Sequence, residues 1–361
     1  MLDAYWLLLD VLYSSLLIFI FIFAVSFVVL QIVERCYVQV TQRQLRLQNA
    51  NFQVGTEFED GIKIVHVSDI HFDRNASACS EDHLDEVIEK IEAAQADLVL
   101  ISGDFIIKET KPIHELAERL GKLKPVHGVY ASLGNHECYA ENSRNICTEA
   151  LTKNGITVLR NKICQPIKDF PLHVAGLEDQ WMSEWKDHPS IMADLEKKDG
   201  IKIVLSHNPD SAVTLRKYGF DLMLAGHTHG GQICLPGFPF FTSMYPFIKP
   251  GIPVLAIVRR LIDNIPPLKG VIYGIPFFKN WANLHKFMWV MNHWEWAHGM
   301  FQLDKTEISE GRATEIQNGE RYMHVSRGIG AHYSLRLFCQ PEVTVLTILP
   351  SDPPMEKSKS Q

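Results

Sequence analysis

Apolar residues along this chain gather into short runs that each lead into a cluster of polar residues. The runs are Ile62-Lys63-Ile64-Val65-His66-Val67, Leu98-Val99-Leu100-Ile101, Gly128 to Leu133, Ile201 to Leu205 and Asp221 to Ala225. Short and bounded by Gly and polar positions, they predict buried strands. Further strands are expected at Thr157–Leu159, His173–Ala175 and Val343–Leu349. The spacing changes between them. Leu84, Val87, Ile88 and Ile91 recur at helical intervals over Glu81–Ala94, with Ser80 placed to cap the helix. Ile113–Leu123 and Asn142–Asn154 predict helices in the same way. Strands alternating with helices define the fold class: an α/β sandwich, two sheets flanked by helices.

The N-terminus has a different pattern. Val11 to Val33 contains no charged residue and is long enough to cross a hydrocarbon core as a helix. Tyr5, Trp6 and Tyr37 flank it as interfacial aromatics do. A cleaved signal would carry basic residues before the apolar run and small residues after it, whereas Asp3 and Asp10 precede it and Gln31-Ile32-Val33-Glu34-Arg35 close it. Residues 1–40 are therefore expected to form a membrane anchor with its span at about 11–33, and 41–60 a polar linker. Residues 61–350 would be the folded domain and 351–361 a disordered tail. Arg35, Arg43 and Arg46 follow the span and no basic residue precedes it, so the domain is expected on the cytoplasmic side of the membrane.

A second apolar stretch interrupts the domain at residues 235–302. It contains Phe238, Phe240, Phe241, Phe277, Phe278, Trp281, Trp289, Trp294 and Trp296, punctuated by Lys249, Arg259, Arg260, Lys269, Lys279 and Lys286. Bulky apolar residues among cations suit a surface that dips into lipid headgroups. The expectation is a membrane-facing lid formed by 236–245 and 277–296, with extra core as the alternative. A second span is disfavoured because Pro and basic residues break every run.

Composition narrows the function. The chain has 361 residues and a formal charge of −7, which argues against nucleic acid as a partner. Its seven cysteines are scattered, without a C-x-x-C pair, so a disulfide framework or zinc ribbon is not expected and a reducing compartment is.

The polar clusters carry the chemistry. They are Ser68-Asp69-Ile70-His71, Gly103-Asp104, Gly134-Asn135-His136-Glu137, Ser206-His207-Asn208 and Gly226-His227-Thr228-His229. Ligands collect beyond the carboxyl ends of strands in open α/β sheets, so the five clusters are expected to converge. Carboxylate, imidazole and carboxamide donors suit manganese, iron, zinc and, less well, magnesium. Two such ions acidify a water for attack on phosphorus and neutralise phosphoryl charge. The other histidines, among them His66, His83, His114, His127, His173, His188, His285, His293 and His298, are read as core or surface residues.

In this order, the motifs D-x-H, GD, GNHE, H and GHxH resemble the calcineurin-like metallophosphoesterase superfamily over roughly Gly61 to Ile233. The resemblance implies a metallophosphoesterase-type sandwich of two mixed β-sheets. It also implies two divalent metal ions, manganese foremost. One would be held by Asp69, His71, Asp104 and His229, and the other by Asp104, Asn135, His207 and His227, with Asp104 as bridge. His136 would be the catalytic proton donor or stabiliser beside the phosphate. Ser326-Arg327-Gly328-Ile329-Gly330 and the anchor add a likeness to the enzymes that cleave UDP-2,3-diacylglucosamine to UMP and 2,3-diacylglucosamine 1-phosphate in lipid A biosynthesis. That likeness implies a lipid-linked nucleotide substrate, with Arg74 and Arg327 as candidate contacts to it. A broader membrane phosphodiesterase is the alternative, and a non-catalytic scaffold on the same fold is a third reading.

Overall fold

The computed structural model describes residues 37–47, 49–50, 58, 60–73, 79–232, 291–303, 321–330, 336 and 338–350, with parts of a stretch between 6 and 29. The first sheet opens with β1 (Gln39–Arg46), β2 (Ile62–Val67), β3 (Leu98–Ser102), β4 (Val129–Ser132) and β5 (Ile156–Val158). The second holds β6 (Lys162–Cys164), β7 (Leu172–Gly176), β8 (Ile201–Leu205), β9 (Leu222–Ala225), β10 (Gly299–Gln302) and β11 (Tyr322–Val325). The chain then returns to the first sheet as β12 (Glu342–Leu349). The sheet orders are β1-β12-β2-β3-β4-β5 and β10-β11-β9-β8-β7-β6. Both sheets are mixed: β12 pairs antiparallel with β2, as β10 does with β11 and β6 with β7, and the other pairings are parallel.

Why the central strands read as continuous apolar runs is visible in what their two faces touch. Ile62 and Ile64 of β2 and Leu98 and Leu100 of β3 face Leu172, Ile203, Leu222 and Leu224 across the gap between the sheets. Val65, Val67, Val99 and Ile101 point the other way, against Leu84, Val87, Ile113 and Leu116 of the helices α2 (Glu81–Ala93) and α3 (Pro112–Leu120). α4 (Ser143–Lys153) joins this layer through Cys147 and Leu151. On the far side Val204, Met223 and Ala225 pack on Met192 and Leu195 of α5 (His188–Glu196) and on Leu215 of α6 (Ala212–Leu215). Strands buried on both faces have no reason to alternate. The expected α/β sandwich is what the chain forms, and Ser80 caps α2 by accepting from the His83 N–H at 3.3 Å.

Two expectations about the periphery change. Residues 41–60 are not all linker: Gln39–Arg46 is an edge strand paired in parallel with β12 along its whole length. Its polar sequence hides this because most of its side chains face solvent, only Leu45 being buried within it, so backbone pairing and not an apolar pattern holds it. At the other end of the insert, Trp294 and Trp296 are not turned to lipid. They are buried with Met223 and Val325 in the outer layer of the second sheet, and Asp210 pins the adjacent backbone by accepting from the N–H groups of Asn292 and His293. The rest of the proposed lid, residues 235–290, lies outside the described residues, as does the tail 351–361. In the expected anchor, residues 11–22 are helical (α1), with large apolar side chains such as Phe19 and Phe21 more than 60% exposed. No helix among the described residues is long and apolar enough to cross a membrane, and most of residues 23–33 lie outside them.

Candidate metal centre

β2, β3 and β4 of the first sheet and β8 and β9 of the second end at one edge of the sandwich, and each delivers one motif there. Asp69, His71, Asp104, Asn135, His136, His207, His227 and His229 are all buried, His136 and His227 being the most open at 8%. Three groups of atoms lie close enough to hold a cation, with ligand atoms within 4.8 Å of one another: Asp69, His71 and His229; His71, Asp104 and His136; and Asp104, His207 and His227. Asp104 joins the last two. Its Oδ2 lies 3.1 Å from His207 Nε2 and 3.5 Å from His71 Nε2. His71 Nε2 is 3.1 Å from His229 Nε2, and His229 Nε2 is 3.6 Å from Asp69 Oδ1. On the other side, His227 Nδ1 lies 2.9 Å from Asn135 Oδ1 and 3.3 Å from His207 Nε2. All eight residues expected at the site are therefore brought together.

Backbone carbonyls aim the imidazoles. The Nδ1–H of His71 donates to Ile106 O at 3.1 Å, that of His207 to Ser102 O at 2.7 Å, and that of His229 to Gly330 O at 3.1 Å. His136 Nδ1 is held by Ile107 O. With Nδ1 so engaged, each Nε2 faces the centre. Without metal, burial opposes a proton on His207 but Asp104 favours one and prevails, and a metal ion would take the place of such a proton on the Nε2 lone pair. The site thus fits cations through its donors and through what orients them.

Electrostatics points the same way. Burial pushes the Asp69 carboxyl up to about 6, with the Asp104 charge adding to it, and pushes Glu137 up to about 7. Burial also opposes the charge on Asp104, but the imidazoles of His207, His136 and His71 outweigh it and hold that carboxyl well below the usual range. Clustered buried carboxyls that resist ionising together are stabilised as anions by a divalent ion.

The backbone is strained where the motifs turn. Asp69, His71, Asp104, His227 and His229 all have φ between 45° and 69°, a region L-residues seldom occupy and that collects at functional sites. Glycine is required beside them: a Cβ at Gly134 would collide with Asp104 Oδ1, and one at Gly226 with Ser68 Oγ and Asp69 Oδ2.

Several functional residues went unassigned in the sequence. Glu137 accepts from the N–H groups of Asp104, Phe105, Ile106 and Gly134 at 2.8–3.2 Å, and so ties the GD turn to the GNHE turn. Its place within GNHE was the signal. Tyr139, half-exposed, accepts from Asn135 Nδ2 at 2.6 Å and packs on His136. Segment 326–330 is structural at this edge, since Ile329 and Gly330 donate to Asp69 O. Arg327 is committed to Glu342 Oε2 at 3.3 Å and to Gln39 Oε1 at 2.7 Å, and Arg74 lies outside the described residues.

A family model for calcineurin-like phosphoesterases matches residues 62–231. An uncharacterized metallophosphoesterase of Aquifex aeolicus is 32% identical over 62% of this chain and 80% of its own length. The chain belongs to the calcineurin-like phosphoesterase family, whose members are metal-dependent phosphoester hydrolases. Phosphodiesterase YaeI of Escherichia coli K12 is 28% identical over 80% of this chain and 82% of its own. A Danio rerio transmembrane protein with a metallophosphoesterase domain is 28% identical over 57% of this chain, which spans 53% of that relative.

Proposed function

We propose that the chain is a membrane-associated two-metal hydrolase of a lipid-linked phosphodiester or pyrophosphate, with UDP-2,3-diacylglucosamine as the leading substrate. The observation that carries the hydrolytic part is the buried array of Asp104 between two histidine sets, with His136 at its mouth. Asp69, His71, Asp104 and His229 would hold one divalent ion and Asp104, Asn135, His207 and His227 the other. Manganese is taken as the leading ion from the family resemblance, and the N/O donor set also accepts iron, zinc or magnesium. When bound, the ions supply a water of lowered pKa and neutralise phosphoryl charge.

The chain's own residues do the rest. His136, anchored through Nδ1 to Ile107 O, has its Nε2 3.9 Å from Asp104 Oδ2. It is placed to give a proton to the departing oxygen or to stabilise charge on the phosphoryl group. Glu137 keeps the Asp104 and Asn135 turns at fixed separation. The lipid part rests on the exposed apolar residues of α1, on the uncharged run to Val33, and on the apolar sequence of 235–290, with a cytoplasmic orientation from the basic residues that follow the run.

The likeness to a relative named as a phosphodiesterase favours a second reading, a broader phosphodiesterase at the same centre. Parallel assays with UDP-2,3-diacylglucosamine and with soluble phosphodiesters, in manganese, magnesium or chelator, separate the two. Preferential release of UMP from the lipid substrate supports the first reading. Turnover of soluble diesters alone selects the second, and activity that survives chelation rejects both.

A further inference from the structure

Five strands deliver the candidate ligands from their carboxyl ends, and a sixth parallel strand ends at the same edge with an acidic pair. β7 runs beside β8 with Gly176 opposite Leu205, and the Leu177 N–H donates to Leu205 O at 2.9 Å. The residues that follow β7 therefore lie next to Ser206-His207-Asn208. They are Glu178 and Asp179, both buried. Glu178 is neutralised, because its Oε1 accepts from Arg160 Nε at 2.6 Å and Arg144 Nη1 lies 3.8 Å from its Oε2.

Asp179 has no such ion pair among the described residues. Its Oδ1 accepts the Trp181 N–H at 2.9 Å, and its Oδ2, like Glu178 Oε2, has no hydrogen-bond partner among the described residues. Burial pushes its carboxyl up to about 6, with His207 opposing that rise and Asp104 adding to it, and Trp181 stands edge-on against the His227 ring at 4.9 Å. The turn thus covers the His207 and His227 side. A buried carboxylate oxygen without a partner is expensive and calls for one. Asp179 is not among the side chains within 4.8 Å of one another, so it acts from one layer further out.

We infer that Asp179 is a positioning residue for the cation on the Asp104, Asn135, His207 and His227 side: Oδ2 accepts a hydrogen bond from a water held by that cation. The inference rests on the two-metal reading above. Asp179→Asn keeps an oxygen for the Trp181 N–H and replaces the unpartnered acceptor with a donor. Asp179→Ser keeps a cap for the turn and removes that oxygen.

The test is a titration of full-length, metal-free protein in detergent with Mn²⁺, read by calorimetry and by the Mn²⁺ resonance signal, with thermal unfolding in chelator and in Mn²⁺. Wild type should bind two ions. Both variants should bind one of them tenfold or more weakly, the scale seen when a partner of a ligand is lost. Their unfolding temperatures in chelator should match or exceed wild type, since an uncompensated buried carboxyl has gone, and the rise on adding Mn²⁺ should shrink. Unchanged affinity for both ions in both variants overturns the inference and leaves Asp179 as a turn cap. So does an equal loss of stability with and without Mn²⁺. A wild-type protein that binds no pair of ions instead rejects the two-metal reading itself.

Discussion

Glu137 Oε2 accepts the backbone N–H of Asp104 at 3.0 Å, so the last residue of one motif fixes the backbone of the key residue of another. The same carboxylate accepts from Phe105, Ile106 and Gly134. Glu137→Gln should therefore be harmful despite its similar shape, because an amide NH₂ must face N–H donors. Each buried donor left without an acceptor costs about 1–3 kcal/mol. We expect a lowered unfolding temperature and reduced metal content, checked by calorimetry and elemental analysis. A variant with wild-type stability and metal content would refute the clamp.

Asp104→Ala removes the one carboxylate shared by two of the three candidate cation groups. Turnover should fall below about a tenth of wild type, with at least one ion lost. Metal-to-protein ratios measured beside the rate decide this, and a fast variant with both ions bound would sink the bridging role.

His136→Ala should behave differently. Its imidazole is at the mouth of the centre and farther from Asp104 than that of His207, so both ions should stay while kcat drops by about 10²–10⁴. An emptied site on metal analysis would make His136 a ligand.

Between the sheets, His66 Nδ1 lies 2.9 Å from His324 Nδ1. Burial holds both rings below the ordinary imidazole range, His324 at about 4. Above about pH 6.5 the folded and unfolded chains both carry these rings neutral, and their contribution is fully present. As pH falls, the unfolded chain takes up protons that the folded chain refuses, so stability is lost between about 6.5 and about 4 for His324. The slope is at most about 1.4 kcal/mol per pH unit for each ring. Urea unfolding at about pH 7.5 and pH 5 should show a smaller loss in His324→Asn than in wild type. Equal losses would mean that the pair is not responsible.

How much the sequence revealed follows from what each region needs to bury. Strands such as Ile62–Val67 and Ile201–Leu205 are covered on both faces, so their composition declares them. The motif residues were legible because few other tasks need Asp, His and Asn at strand ends. β1 was not legible, as its bonds to β12 are made by backbone and Gln42, Arg43, Gln44 and Arg46 are exposed. Nor was the direction of Trp294 and Trp296, because an aromatic that packs on a sheet and one that meets lipid look alike in sequence. Glu137 and the carbonyls of Ser102, Ile106 and Gly330 act by orienting other groups, a role that spacing alone does not encode.

The edge strand sets where the N-terminus can be trimmed. Removal of residues 1–36 leaves β1 whole, with Val38, Leu45 and Leu47 buried and Gln39 on Arg327. Removal of residues 1–46 takes away the parallel pairing with β12 and the burial of Val38 and Leu45. At about 1.5–3 kcal/mol for each buried aliphatic side chain, that loss is large against a total stability of about 5–15 kcal/mol. The shorter deletion should therefore unfold near the full-length temperature and keep its metal-dependent activity on detergent-dispersed substrate. The longer one should be strongly destabilised or insoluble. Vesicle flotation of the full chain and of the shorter deletion then tests the anchor by itself: binding should fall when residues 1–36 are removed. If both deletions were equally stable, β1 would be an accessory to the sheet. If flotation were unchanged, α1 would not be the membrane contact.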